Sequence, residues 1–292
     1  MHYTLLPEYP VYRREINENA IKYTQGLFPT LFRGAISLEI IPGIHAIPGT
    51  HISRVYLIED DELSLVDTGM PWSAERIIRY IRSIGRRPEE ISRILLTHSH
   101  PDHIGGAPGI LKHSGASVFA HQADSRQRHG NYRTLDYIGI FGPMEAALPF
   151  FHRTRLDCLV TEGDLIPIAG GIRALYTPGH TPGSVCYLLE REGLLFSGDT
   201  IFAGHGRVSR SLPFPGTDTA QYRRSVERLA AMDFDILCGG HGEPLVVGAS
   251  RALRILLQRK PNPPTWREFF FRRLPRRLLL HRGMSDEDYE ID

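Results

Sequence analysis

Residues 97–103 read Thr97-His98-Ser99-His100-Pro101-Asp102-His103, and the reading of this stretch decides the fold. Four metal-ligating side chains fall within six residues, directly after RILLT (93–97), a short apolar run that reads as a buried strand. Alternate residues at a strand end point the same way, so His98 and His100 can share one metal. Asp102 and His103 lie just beyond, where a tight turn aims them at a neighbouring metal. Neutral imidazole suits zinc and iron, and a carboxylate oxygen adds a harder ligand. A lone histidine is ordinarily structural, but four such groups packed this closely at a strand end have no comparable bland explanation.

Three further candidates follow at the ends of later strands. His180 comes after IRALY in Thr177-Pro178-Gly179-His180, Asp199 after GLLF in Ser197-Gly198-Asp199, and His241 after FDILC in Gly239-Gly240-His241. Each is preceded by Gly, which lets the backbone turn sharply and aim the side chain. Because each ends a predicted strand, as the histidine cluster does, convergence on one sheet edge is expected.

The rest of the pattern supplies the frame. LEIIPGIHAIP, ISRVYLIED and ELSLVDTG read as successive antiparallel strands. Pro71-Trp72-Ser73 opens a helix with Ala74, Ile77, Ile78, Ile81 and Ile84 at helical spacing, arginines on the other face and Gly85 as the stop. Gly105 and Gly106 lead to a further short helix. A second set of strands follows in DCLVTEGD, IRALYTP, SVCYLLE and GLLFSGD. Asp218-x-x-Gln221 reads as a capping box for a helix with Tyr222, Val226 and Leu229 on one face. This order fits two sheets with helices outside.

The motifs resemble those of the metallo-β-lactamase superfamily. HSHPDH resembles its H-x-H-x-D-H signature, TPGHTPGS its second histidine motif, FSGDT its bridging-aspartate motif and GGHG its last histidine motif, over roughly residues 40–245. The resemblance implies an α+β fold, an αββα sandwich, with two divalent metal ions at the edge of the sheets: zinc first, iron or manganese as alternatives. It implies that His98, His100 and His180 hold one ion, that Asp102, His103 and His241 hold the other, and that Asp199 bridges them. Asp67, in SLVDTG, matches another motif, whose family role is structural beside the metals; the plainer reading is a turn aspartate before Gly69.

The chemistry implied is attack of a metal-bridging hydroxide on an ester, thioester or lactone carbonyl, with Asp102 as a candidate catalytic proton carrier. GDTIFAGHGR resembles glyoxalase II-type thioesterases through Gly198, Asp199, Thr200, Phe202, Gly204, Gly206 and Arg207. His205 stands where those enzymes often have Cys, and their longer helical C-terminal region finds no match. Quorum-quenching lactonases share the seven ligands, but Phe202 occupies the position of their usual catalytic Tyr and cannot donate a hydrogen bond. Persulfide dioxygenases, with one iron held by the equivalents of His98, His180 and Asp199, form a rival reading. A non-catalytic metal-binding scaffold is a third, disfavoured because a structural site needs no open position. Phe202, His205, Tyr137 and Phe141 are the candidate substrate-pocket residues; His205 has an alternative as an exposed loop histidine.

The chain divides into an extension (1–37), the sandwich domain (38–260) and a basic, apolar tail (261–292). An apolar insert at 130–156 reads either as a lid over the pocket or as a helical hairpin packing on the core or another subunit. The tail reads as docking on the domain or making a homodimer contact, in preference to a membrane surface. With 34 Lys+Arg against 33 Asp+Glu, the formal charge of +1 speaks against nucleic acid as a partner and leaves a small molecule. No stretch reaches the roughly 18 apolar residues of a membrane span. The 3 cysteines, Cys158, Cys186 and Cys238, lie far apart and read as small core residues. No signal peptide is evident, so a cytoplasmic location is the expectation.

Overall fold

The computed structural model describes residues 38–50, 52–127, 133–135, 154–213 and 216–258. Tyr137 and Phe141, the extension 1–37 and the tail 261–292 lie outside the described residues, as does most of the apolar insert.

The first sheet is built from β1 (Leu38–Ile41), β2 (Ile44–Ala46), β3 (Tyr56–Glu59), β4 (Leu63–Val66), β5 (Ile91–Leu95) and β6 (Ser117–His121). A three-stranded sheet follows, of β7 (Ser125–Gln127), β8 (Arg133–Leu135) and β9 (Thr154–Leu156), so the described ends of the insert are strands. Next comes β10 (Cys158–Val160), which pairs parallel with β6 and closes the first sheet in the order β1-β2-β3-β4-β5-β6-β10. The second sheet has the order β11-β12-β13-β14-β17, from β11 (Leu165–Ile166), β12 (Ile172–Tyr176), β13 (Val185–Leu189), β14 (Leu194–Gly198) and β17 (Ile236–Gly239). Between β14 and β17 runs the hairpin β15 (Ile201–Gly204) and β16 (Arg207–Arg210). DCLV thus belongs to the first sheet, not to the second set of strands in which its place in the chain puts it.

Both sheets begin antiparallel and turn parallel at the strands that carry chemistry, β4-β5 in one and β14-β17 in the other. The faces separate cleanly by alternation. Tyr56, Ile58 and Val66 of the first sheet meet Tyr187, Leu189 and Phe196 of the second in one buried cluster. The intervening Leu57 and Leu65 face outward to helix α1 (Ala74–Ser83), against Ile77, Ile78 and Ile81. On the far side, Cys186, Leu188 and Leu195 face Val226 and Leu229 of α4 (Thr219–Ala230) and Leu253 of α5 (Ala249–Gln258). Two short helices, α2 (Pro101–Ile104) and α3 (Ala107–Ile110), join α1 on the outer side of the first sheet through Ile104 and Ile110. The result is a four-layer αββα sandwich whose strands, buried on both faces, read as continuous apolar runs. Burying each α1 isoleucine contributes ~1.5–3 kcal/mol.

The α4 N-terminus differs in detail from the expected reciprocal box. The Asp218 carboxylate accepts from the Ala220 and Gln221 backbone N–H groups, while the Gln221 side chain donates back to that carboxylate at 2.7 Å. Of the cysteines, Cys186 and Cys238 are core residues and Cys158 is half-buried. No helix among the described residues is long and apolar enough to cross a membrane.

Candidate metal centre

The seven residues meet at one end of the sandwich, beyond the ends of β5, β12, β14 and β17. Val185 N donates to Thr97 O at 2.8 Å and Tyr187 Oη to Leu96 O at 3.0 Å, tying the segment after β5 to β13, and Tyr56 Oη donates to Gly239 O at 2.7 Å, tying β3 to the end of β17. The chain leaves β5 into the loop of His98 and His100, then makes the single turn of α2, begun by Pro101, whose fixed φ suits a first helical position. That turn carries Asp102 and His103. His180 stands on the turn after β12, Asp199 directly after β14, and His241 two residues after β17. Gly240 must be glycine: a Cβ there would overlap Asp199 Oδ1 and lie 2.8 Å from His103 Cε1.

Two groups of donor atoms form. His98, His100, His180 and Asp199 constitute one; Asp102, His103 and His241 the other; the atoms of each group lie within 4.8 Å of one another. His98 Nε2 and His180 Nε2 each stand 3.0 Å from His100 Nδ1. Asp199 sits between the groups, with Oδ1 3.2 Å from His103 Nε2, and Oδ2 3.2 Å from His241 Nε2 and 3.5 Å from His180 Nε2. Asp102 Oδ2 is 3.4 Å from His241 Nε2 and 3.7 Å from His103 Nε2.

The ring nitrogens turned away from the centre are held by defined partners. Thr97 Oγ1 donates to Asp67 Oδ2 at 2.8 Å and can therefore accept from His98 Nδ1–H at 3.0 Å. Asp67 Oδ2 accepts from His103 Nδ1 at 2.7 Å, and Asp67 Oδ1 from the Thr97 backbone N–H at 2.8 Å. Ser211 Oγ lies 3.1 Å from His180 Nδ1, and His241 Nδ1 donates to Ile52 O at 2.5 Å. In each case a proton on Nδ1 turns the Nε2 lone pair inward, the tautomer a metal requires. Asp67 holds its carboxylate there from a left-handed backbone, φ 60°, a conformation that non-glycine residues keep only where the surroundings fix it.

The electrostatics divide the histidines. Burial pushes His98 well below the ordinary imidazole range, His100 to about 4 and His180 to about 3, so these three are neutral near pH 7. Burial also disfavours the charged forms of His103 and His241, but facing carboxylates, Asp199 foremost, outweigh it and raise both. Asp199 is driven well below the carboxylate range: His241 and His103 outweigh the effect of its own burial. His103 Nε2 and Asp199 Oδ1 are buried without a hydrogen-bond partner among the described residues. Orphaned buried polar atoms are costly, and a cation between the two groups satisfies both. The donor set fits two divalent ions.

Phe202, on β15, is buried with its ring 5.0 Å from the His241 ring, so it walls the centre. His205 is exposed at the turn of the β15–β16 hairpin, with φ 51°, outside both groups. Sequence reasoning missed Ser211 and the Ile52 carbonyl as partners of the ligand-type histidines. Neither carries a motif; Thr97 opens the histidine cluster, but its place between Asp67 and His98 was not read from the sequence either.

The profile of the Metallo-beta-lactamase superfamily matches residues 48–241. Bacillus subtilis YflN, named a probable metallo-hydrolase, is 26% identical over 242 residues, spanning 74% of this chain and 90% of that protein. The hydroxyacylglutathione hydrolase of Acidiphilium cryptum is 33% identical over 201 residues, spanning 65% of this chain and 68% of that enzyme. Among solved structures, a metallo-beta-lactamase family protein of Thermus thermophilus superposes with a TM-score of 0.59 at 23% identity, covering 75% of this chain and 80% of that one. Fold, paired donor groups and sequence profile agree: the chain belongs to the metallo-β-lactamase superfamily, as a metallo-hydrolase with two candidate metal sites.

Proposed function

We propose that the chain is a binuclear hydrolase of a small ester, thioester or lactone. His98, His100 and His180 would hold one ion and Asp102, His103 and His241 the other, with Asp199 placed to serve both. Zinc suits this set of imidazoles and carboxylates best. The observation that carries the reading is the position of Asp199, whose two oxygens face histidines of both groups at 3.2–3.5 Å. A complete second group of Asp102, His103 and His241 supports two ions rather than one iron.

Two divalent ions, when bound, supply an acidified water as nucleophile and an electrophile for the substrate carbonyl. The protein does the rest. Asp67, Thr97, Ser211 and the Ile52 carbonyl fix the imidazoles. Asp102 and His241 are the more exposed members, at 13% and 11% side-chain exposure, so Asp102 is placed to take a proton from the reacting centre and pass it to solvent. Phe202 offers an apolar wall without a proton to give. The relative named hydroxyacylglutathione hydrolase favours a thioester as the first substrate class to test.

Elemental analysis of protein purified without added metal checks the reading. About two divalent ions per chain, with turnover of a thioester or lactone, is the expected result. About one iron per chain, with oxygen uptake on a persulfide, overturns it.

A further inference from the structure

Thr181, Gly183 and Ser184, the rest of the HTPGS motif, are not used by the chemistry above. Their surroundings lead to a residue outside every motif. Asp124 follows β6 in the one-turn segment Gln122–Asp124 and is 6% exposed. Its carboxylate accepts three hydrogen bonds from two distant loops: Ser99 N at 3.0 Å and Thr181 Oγ1 at 2.9 Å on Oδ2, and Gly183 N at 2.6 Å on Oδ1. Gly183 has no room for a side chain, since a Cβ there would lie 2.5 Å from Asp124 Cγ. Ser184 Oγ completes the turn by accepting from Thr181 N at 3.0 Å.

The placement matters because of what these donors flank. The Ser99 amide lies between His98 and His100, so pinning it sets the direction of both side chains. Thr181 and Gly183 pin the turn that begins at His180. A carboxylate with several N–H and O–H donors makes stronger, charge-assisted bonds than a neutral acceptor does. Burial raises its pKa while Thr181, Gly183 and Ser99 pull it back toward the charged form.

We propose that Asp124 is a positioning residue that clamps the His98–His100 loop to the His180 turn and thereby sets the geometry of the first metal position, an inference that rests on the ligand assignment above. The second position, held by α2 and the loop after β17, receives none of these three hydrogen bonds.

Zinc affinity of the metal-free protein, read by competition with a chromophoric chelator, tests this in two backgrounds. His241→Ala leaves only the first group complete, and His180→Ala only the second. In the first background Asp124→Asn should weaken zinc binding about 10–100-fold, the usual effect of losing an outer partner of a ligand. Its amide group turns a donor toward donors. In the second background it should leave the affinity unchanged. Thr181→Val, which removes one of the three bonds, should move the first background in the same direction by less, and it carries the test if Asp124→Asn fails to fold by circular dichroism. No loss in the His241→Ala background, or equal loss in both, overturns the clamp. Absence of zinc binding by the unsubstituted protein overturns the ligand assignment itself, and the clamp with it.

Discussion

The two halves of the centre are built differently. In the first group, beside the carboxylate of Asp199, His98, His100 and His180 form an imidazole face whose rings are neutral because burial denies them a proton. The group of Asp102, His103 and His241 is a network of ion pairs, in which carboxylates raise the imidazoles against the same burial. Their outer partners differ accordingly. Two of the three first-group rings lean on hydroxyls, Thr97 and Ser211, and His103 leans on a carboxylate, Asp67. A ligand must be deprotonated to bind, and the raised imidazoles of the second half give up a proton less readily than those of the first. The first half is thus prepared mainly by geometry and the second mainly by charge.

Asp199 is the one place where both designs meet, and its loss should have the largest effect. Asp199→Ala removes a donor from each half; the metal content should fall below two per chain. Loss of several kcal/mol of charge stabilisation corresponds to a drop in kcat/KM of ~10³-fold or more. Elemental analysis beside kinetics checks it, and a variant with full activity would remove Asp199 from the bridging role. Asp67→Ala comes next. It strips His103 of its carboxylate partner and reaches His98 only through Thr97, so the second half should lose about 10–100-fold in zinc affinity and the first half less. Titrations in the His180→Ala and His241→Ala backgrounds separate the two losses. If they are equal, the division by outer partners is wrong.

What the sequence disclosed follows the same physical line. Ligand-type residues were legible because metal geometry demands them at strand ends, and HSHPDH puts four into six positions. The αββα layering was legible because strands buried on both faces and the Ile77-Ile78-Ile81 stripe have distinct periods. Strand partnership was not: nothing in DCLV distinguishes the edge of the first sheet from the second, since a parallel pairing with β6 is a long-range choice. β6 itself, Ser117–His121, passed unread because its five residues carry no alternation that a short window resolves. Ser211 and Asp124 were silent for a different reason. Their partners are 31 residues away in one case and 25 to 59 in the other, and a single hydroxyl or carboxylate has no local signature.

The smallest effect gives the finest test of the contrast. Ser211 Oγ is a neutral partner of His180 Nδ1, and the residue is held in place by its backbone N–H donating to Tyr222 Oη at 2.8 Å; that hydroxyl in turn donates to Thr200 O at 2.8 Å. Ser211→Ala removes one neutral hydrogen bond, about 0.5–1.5 kcal/mol, or roughly 2–10-fold in zinc affinity. The loss should appear in the His241→Ala background and be absent from the His180→Ala background. Tyr222→Phe should produce a fraction of it, because it loosens the Ser211 backbone without removing the hydroxyl. If Ser211→Ala instead weakened the second half, the network would be acting through the shared carboxylate of Asp199, and the two halves would have to be treated as one electrostatic unit.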